Sequence, residues 1–138
     1  MIADWFNANY NDKLYSWKEF RDSISDLSVE DKIEKTCVFF SRIGYSKRAI
    51  DFYTPSSWPT PWELLDLKTH CLSSISLMMY HTLKFVDVET TLMLIDDGDD
   101  EYLVPYHQNT DLVLNYFNGS TEKLSQIECI KIVRSINL

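Results

Sequence analysis

The chain is poor in glycine and cysteine, with three of each among 138 residues. With so few glycines it has no Gly-rich loop of the kind that cradles phosphate groups. The number of cysteines is odd, and their positions are far apart: Cys37, Cys71 and Cys129. This spacing predicts neither a disulfide framework nor a zinc site. Reduced thiols are typical of the cytoplasm, so we expect a cytoplasmic protein. We also expect no metal and no cofactor.

Basic side chains are also scarce. The 13 lysines and arginines face 21 aspartates and glutamates, which gives a formal charge of −8. Such a chain repels phosphate backbones and anionic lipid surfaces, so we expect no nucleic acid partner and no membrane partner. The first residues have neither a basic region nor a long apolar core, so we expect no signal peptide. No apolar run reaches membrane-spanning length. The negative charge favours a basic protein partner or simply solubility.

What is present is core-forming sequence, with 45% apolar and 14% aromatic residues. No linker or repeat divides the chain, so we expect one domain over 1–138, helical over 1–85 and β-rich over 86–138. Ser16 and Ser28 each begin a capping-box pattern, and apolar residues at helical spacing follow each of them. Gly44 is a plausible end for the second helix.

A third helix start lies within an aromatic segment. Thr60-Pro61-Trp62-Glu63 combines a cap, a first-turn proline and a capping-box glutamate, and predicts a short helix to about Leu67. Thr69 is then expected to cap a helix over His70–Leu83, which would place Cys71 in its first turn and on its inner face.

The second half predicts strands. Residues 90–95, 102–107 and 112–117 are short β-rich runs separated by turns at 96–100 and 108–111. Residues 121–126 predict a helical turn, and 129–136 a last strand. Helices followed by an antiparallel sheet define an α+β domain.

Cys71 is the candidate for chemistry. The N-terminus of a helix favours a thiolate, which is the form of cysteine that acts as a nucleophile. The alternative is a buried core cysteine, which is the more common role and the one expected for Cys37 and Cys129. A nucleophile also needs an imidazole and a group that orients it.

His107 is the candidate imidazole, at the end of a predicted strand, and Asn115 in the following strand is the candidate orienting group. His81 lies about 15 Å along the helix from Cys71, and His70 points to another side of the helix. The alternatives are a surface histidine beside a turn and an ordinary polar strand residue.

Two further features are open to more than one interpretation. The acidic run Asp96–Glu101 has the composition of a cation-binding loop but lacks the ligand spacing of an EF-hand, so a solvated turn is the stronger prediction. The aromatic segment around Trp58 and Trp62 could line a groove beside Cys71 or form a lid over the core.

The run from Trp58 to Leu65, WPTPWELL, followed by CLSSISL from Cys71, resembles the transglutaminase-like branch of the papain-like cysteine peptidases. The segment Leu112–Tyr116, LVLNY, resembles the strand that carries the orienting Asp of that family. The resemblance covers about residues 55–120 and implies a transglutaminase-like, papain-like core, with helices packed on an antiparallel sheet. The small size also resembles a tailed-phage accessory protein.

The resemblance places the nucleophile on Cys71 and the orienting residue on Asn115, where many members have Asp. It places the histidine near Asp100–Tyr102, where this chain has none, whereas His107 is at the far end of that strand. Either the hairpin register differs from our prediction or the triad is incomplete.

Two hypotheses therefore follow. In the first, Cys71, His107 and Asn115 carry out acyl transfer or amide hydrolysis. In the second, the fold is kept without catalysis and serves as an acidic factor that binds a protein or peptide.

Overall fold

The computed structural model describes residues 5, 8–42, 50–67, 71–127, 130–136 and 138. Within these residues, four α-helices precede five β-strands. The helices are α1 (Tyr10–Ile24), α2 (Val29–Ser41), α3 (Pro61–Asp66) and α4 (Leu72–Phe85). The strands are β1 (Thr91–Asp96), β2 (Glu101–His107), β3 (Leu112–Leu114), β4 (Thr121–Lys123) and β5 (Lys131–Ile136). The predicted α+β class is confirmed.

The first two helices begin at side-chain caps. Ser28 accepts a hydrogen bond from the Asp31 amide and caps α2, as predicted. The prediction for α1 was wrong, because the helix begins at Tyr10 with Asn9 as its cap. Ser16 therefore lies inside α1. A capping-box pattern marks a helix start only where the residues before it are not helical. Here residues 10–15 are helical, so the pattern at Ser16 does not start a helix. The predicted stop at Gly44 lies outside the described residues.

The helix after the aromatic segment matches its sequence signal. Thr60 accepts from the Glu63 amide at 3.2 Å, while the Glu63 carboxylate accepts from the Thr60 amide at 3.1 Å. This capping box and Pro61 in the first turn start α3, whose C-cap is Leu67. Helix α4 starts at Leu72 with Cys71 as its N-cap, so the prediction that Thr69 caps this helix and that Cys71 lies in its first turn was wrong; Thr69 itself lies outside the described residues.

The sheet is antiparallel with strand order β4-β3-β2-β1-β5. Thr91 pairs with Tyr106 and Asp96 with Glu101, so β1 and β2 form a full hairpin across the acidic turn. Strand β3 is shorter than predicted, and the pairing of Tyr106 with Val113 fixes its register. Strand β4 occupies part of the predicted helical turn at 121–126, and a short 3₁₀ turn follows it.

The helical layer packs on one face of the sheet. Leu92, Leu94 and Leu103 join the core cluster that contains the helices, whereas Met93, Ile95 and Val104 form a second cluster on the other face. Side chains along β1 and β2 therefore alternate between the two faces, as they do in any strand.

Helix α4 lies at the centre of this layer. Its residues from Ser73 to Tyr80 are all buried, not only the predicted inner stripe. Trp17 of α1 is fully buried and donates a hydrogen bond from Nε1 to Thr82 Oγ1 at 2.9 Å. Lys32 of α2 donates to the Val86 carbonyl at 2.8 Å. Neighbours on every side explain why small serines in α4 are buried beside large apolar residues.

Within the described part of the chain, no helix is both long enough and apolar enough to cross a membrane.

Candidate functional site

Cys71 is the N-cap of α4. Its Sγ accepts a hydrogen bond from the Ser74 amide at 3.4 Å, and Ser74 Oγ accepts from the Cys71 amide at 3.0 Å. The residue is 2% exposed. The thiol is therefore engaged in the helix cap and shielded from solvent.

Asn115 reaches the same end of α4. Its Nδ2 donates to the Leu72 carbonyl at 3.0 Å and to Ser76 Oγ at 2.9 Å, and its Oδ1 accepts from the Gly119 amide at 3.0 Å. The residue follows β3 with φ of 64°, a left-handed conformation that asparagine tolerates better than most residues. The turn swings the buried amide from the strand toward the first two turns of α4.

His107 lies elsewhere. It lines a groove with Tyr80 and Lys84, which are nine and thirteen residues beyond Cys71 on α4. With a helical rise of 1.5 Å per residue, those side chains start about 13 and 20 Å along the axis from Cys71. The structure thus brings Cys71 and Asn115 together at one end of α4 and places His107 near the other. The catalytic roles of the three residues stay a prediction.

The other described histidine, His81, also lies away from the Cys71 thiol. His81 lies ten residues along α4 and lines a separate groove with Trp62 and Phe85. Burial, with a smaller contribution from Lys84, lowers its pKa to about 4, so His81 is neutral at neutral pH. His70 lies outside the described residues.

Glu101, the last residue of the acidic run, was not among the predicted site residues. It begins β2 and has the same strand parity as Leu103 and His107, so it faces the helical layer. Strand β3 starts at Leu112, opposite His107, and runs antiparallel to β2 toward Asn115, which contacts the start of α4, so the Glu101 end of β2 lies toward the helix start. Its Oε2 accepts a hydrogen bond from the Tyr53 hydroxyl at 2.7 Å. The signal was available: the family resemblance assigned a histidine to residues 100–102.

The acidic turn before Glu101 is organised by its own carboxylates. Asp97 accepts from the amides of Asp99 and Asp100 and from the Tyr116 hydroxyl. These hydrogen bonds, that from Tyr116 foremost, lower the pKa of Asp97 to about 2, and the same contact raises the pKa of Tyr116 to about 12. The described residues contain no group of three His, Cys, Asp or Glu side chains placed to hold a metal ion.

The two tryptophans of the aromatic segment lie in different surroundings. Trp58 packs partly against the core and donates from Nε1 to the Asp51 carbonyl at 2.7 Å. Trp62 is 45% exposed and contacts the rings of Trp17 and Phe85. Cys37 is buried in the core, as predicted, and burial raises its pKa to about 12. Cys129 lies outside the described residues.

Solved structures of another protein have a similar fold. LapG of Legionella pneumophila in its calcium-bound form superimposes with a TM-score of 0.79 over 95% of this chain and 77% of LapG, at 20% sequence identity. The fold is transglutaminase-like. LapG in a second structure and in an EGTA-treated form gives a TM-score of 0.78, again at 20% identity and over 95% of this chain. No family model and no curated protein matches the sequence significantly.

Proposed function

We propose that this chain is a transglutaminase-like domain that binds a basic protein or peptide segment and does not carry out acyl transfer. The observation that carries the proposal is the separation of Cys71 from His107 along α4, with Glu101 where the family resemblance implies histidine. Among the described residues no imidazole lies beside the Cys71 thiol, and a thiol in that situation has no partner to take its proton and return it to the leaving group.

Exposed aromatic side chains near Glu101 and Asn115 support binding. Tyr53, which contacts Glu101, is 57% exposed, and Phe117, two residues beyond Asn115, is 62% exposed. Exposed aromatic side chains contribute strongly to protein interfaces because they bury a large area at low entropic cost. The acidic turn at 96–100 adds carboxylates at the same end of the sheet. Apolar contact and negative charge together favour a partner segment that alternates basic and apolar residues.

The chemical half of the proposal is tested by alkylating Cys71 with iodoacetamide from pH 5 to 9, with peptide mass spectrometry to separate the three cysteines. We expect Cys71 in the folded protein to react at no more than about 1% of its rate in urea, since the thiol is shielded and engaged in the helix cap. Labelling at pH 6 that is faster than in urea would indicate an activated thiolate and overturn the proposal in favour of an enzyme.

The binding half is tested by titrating a blocked peptide of alternating lysine and leucine while amide resonances are recorded. We expect shifts at Tyr53, Glu101 and Phe117 that weaken as salt is added, and none with a glutamate–leucine peptide. Tyr53→Ala should weaken affinity by about tenfold, as loss of an aromatic anchor does. Tyr15→Ala, which removes an exposed tyrosine from α1, should leave it unchanged. Equal effects of the two variants would contradict a site at Tyr53.

The expectations of a cytoplasmic location, of a phage origin and of no cofactor stay predictions. One of the LapG structures is calcium-bound. In the part of this chain that the structure describes, no three His, Cys, Asp or Glu side chains converge to hold such an ion.

A further inference from the structure

The groove lined by His107 lies at the end of α4 opposite to Cys71. Its volume is about 400 Å³. Tyr80 and Lys84 of α4 form one wall, Glu89 and Thr90 come from the segment that leads into β1, and His107 ends β2. Pockets of this size bind small polar metabolites when a few polar groups converge in them.

One buried polar atom in this groove lacks a partner. Continuing the β1–β2 register by one residue places Thr90 opposite His107, on the face of the sheet that carries the helices. Thr90 Oγ1 is buried and has no hydrogen bond within the described part of the chain. His107 is 8% exposed, and its Nδ1 is engaged with Thr110 Oγ1 at 2.7 Å. Buried polar groups normally have partners, so the Thr90 hydroxyl in the wall of the groove points to a ligand.

The groove also carries one charge of each sign. Lys84 and Glu89 both line it, and the described structure gives no ion pair between them. The Lys84 ammonium lies 5.9 Å from the centre of the Tyr80 ring. Because the two charged groups are not paired with each other, each can pair with a group of opposite charge on a ligand. A ligand with a single charge would satisfy one of them and be opposed by the other.

We propose that this groove binds a free α-amino acid. Its carboxylate accepts hydrogen bonds from Lys84 Nζ and Thr90 Oγ1, and its ammonium group pairs with Glu89. This site is independent of the proposed peptide-binding surface. It lies at the other end of α4, and none of the residues of that surface (Tyr53, Glu101 and Phe117) lines it.

The test is a titration of the whole chain with each of the twenty common amino acids, followed through amide resonances. Acetate and methylamine serve as probes with one charge each. We expect at least one amino acid to shift the amides of Thr90, His107 and Gln108 saturably. Acetate and methylamine should bind at least about tenfold more weakly, since each lacks one of the two ion pairs.

Two variants examine the contacts. Thr90→Val keeps the shape of the side chain and removes the hydroxyl, and Lys84→Met removes the ammonium group. Each is expected to raise the Kd by about tenfold, the effect of one lost hydrogen bond to a charged group. Lys35→Met, at an exposed position of α2, is the matched control and should leave the Kd unchanged. Three results overturn the proposal: no saturable shift with any amino acid, acetate binding as tightly as the amino acids, or equal Kd values for the Lys84 and Lys35 variants.

Discussion

Replacing Asn115 with alanine is expected to lower the free energy of unfolding by about 3 kcal/mol, because three hydrogen bonds of a buried side chain are lost at about 1 kcal/mol each. The Leu72 carbonyl, Ser76 Oγ and the Gly119 amide all lose their contact with the side chain. The left-handed backbone at this position adds to the cost, since alanine adopts it less readily than asparagine. Urea denaturation followed by circular dichroism measures the change.

The matched control is Asn109→Ala, which changes an exposed asparagine in the turn between β2 and β3. Surface substitutions of this kind fall within about 0.5 kcal/mol of wild type. A loss of less than about 1 kcal/mol for Asn115→Ala would show that Asn115 does not join the end of β3 to α4.

The variant Asn115→Asp separates a structural role from a catalytic one. The introduced carboxylate cannot donate to the Leu72 carbonyl, and two buried acceptors would face each other. This arrangement raises the folded-state pKa of the new carboxyl above its unfolded value. The folded state then binds more protons than the unfolded state, so the destabilisation is largest at neutral pH and diminishes as the pH falls through the folded-state pKa. A variant as stable as wild type at pH 7.5 would favour the catalytic interpretation of this position.

Replacing Glu101 with histidine is expected to raise the rate at which iodoacetamide labels Cys71 at pH 7 by about tenfold or more. The substitution places an imidazole on the helix-facing side of β2 at the end nearer to Cys71, and an imidazole beside a cysteine favours the thiolate. Cys37 is an internal reference, because its pKa of about 12 keeps it unreactive. Peptide mass spectrometry across pH 5–9 gives the rates for each cysteine.

The control for this variant is Glu122→His, the same substitution in β4 at the edge of the sheet. It should leave the labelling of Cys71 unchanged. If Glu101→His folds like wild type and labels no faster than Glu122→His, then Glu101 does not occupy the position of the family histidine. The proposal that this chain lost catalysis by losing that histidine would then fail.

The comparison of sequence and structure is clearest at the helix starts. Local hydrogen bonding fixes the caps at Ser28 and Thr60, and a short window of sequence contains every group involved. The predicted start of α1 at Ser16 was wrong because Ser16 shows the same local pattern inside a longer helix. The β-rich runs were located, but the short β4 was not, since a strand of three residues is defined by its pairing with β3.

The sequence by itself determined the α+β class, the hairpins of the sheet and the place of Cys71 at the start of a helix, because these depend on periodicity, turns and caps within a few residues. It also indicated, through the family resemblance, that a histidine is missing near Asp100–Tyr102. Only the tertiary structure decided which side chains meet at each end of α4. The pairing of strands far apart in sequence set that outcome: the turn after β3 carries Asn115 to Leu72, while β2 carries His107 to Tyr80 and Lys84. The few glycines and cysteines thus excluded several kinds of site, and packing around α4 separated the candidate nucleophile from its expected base.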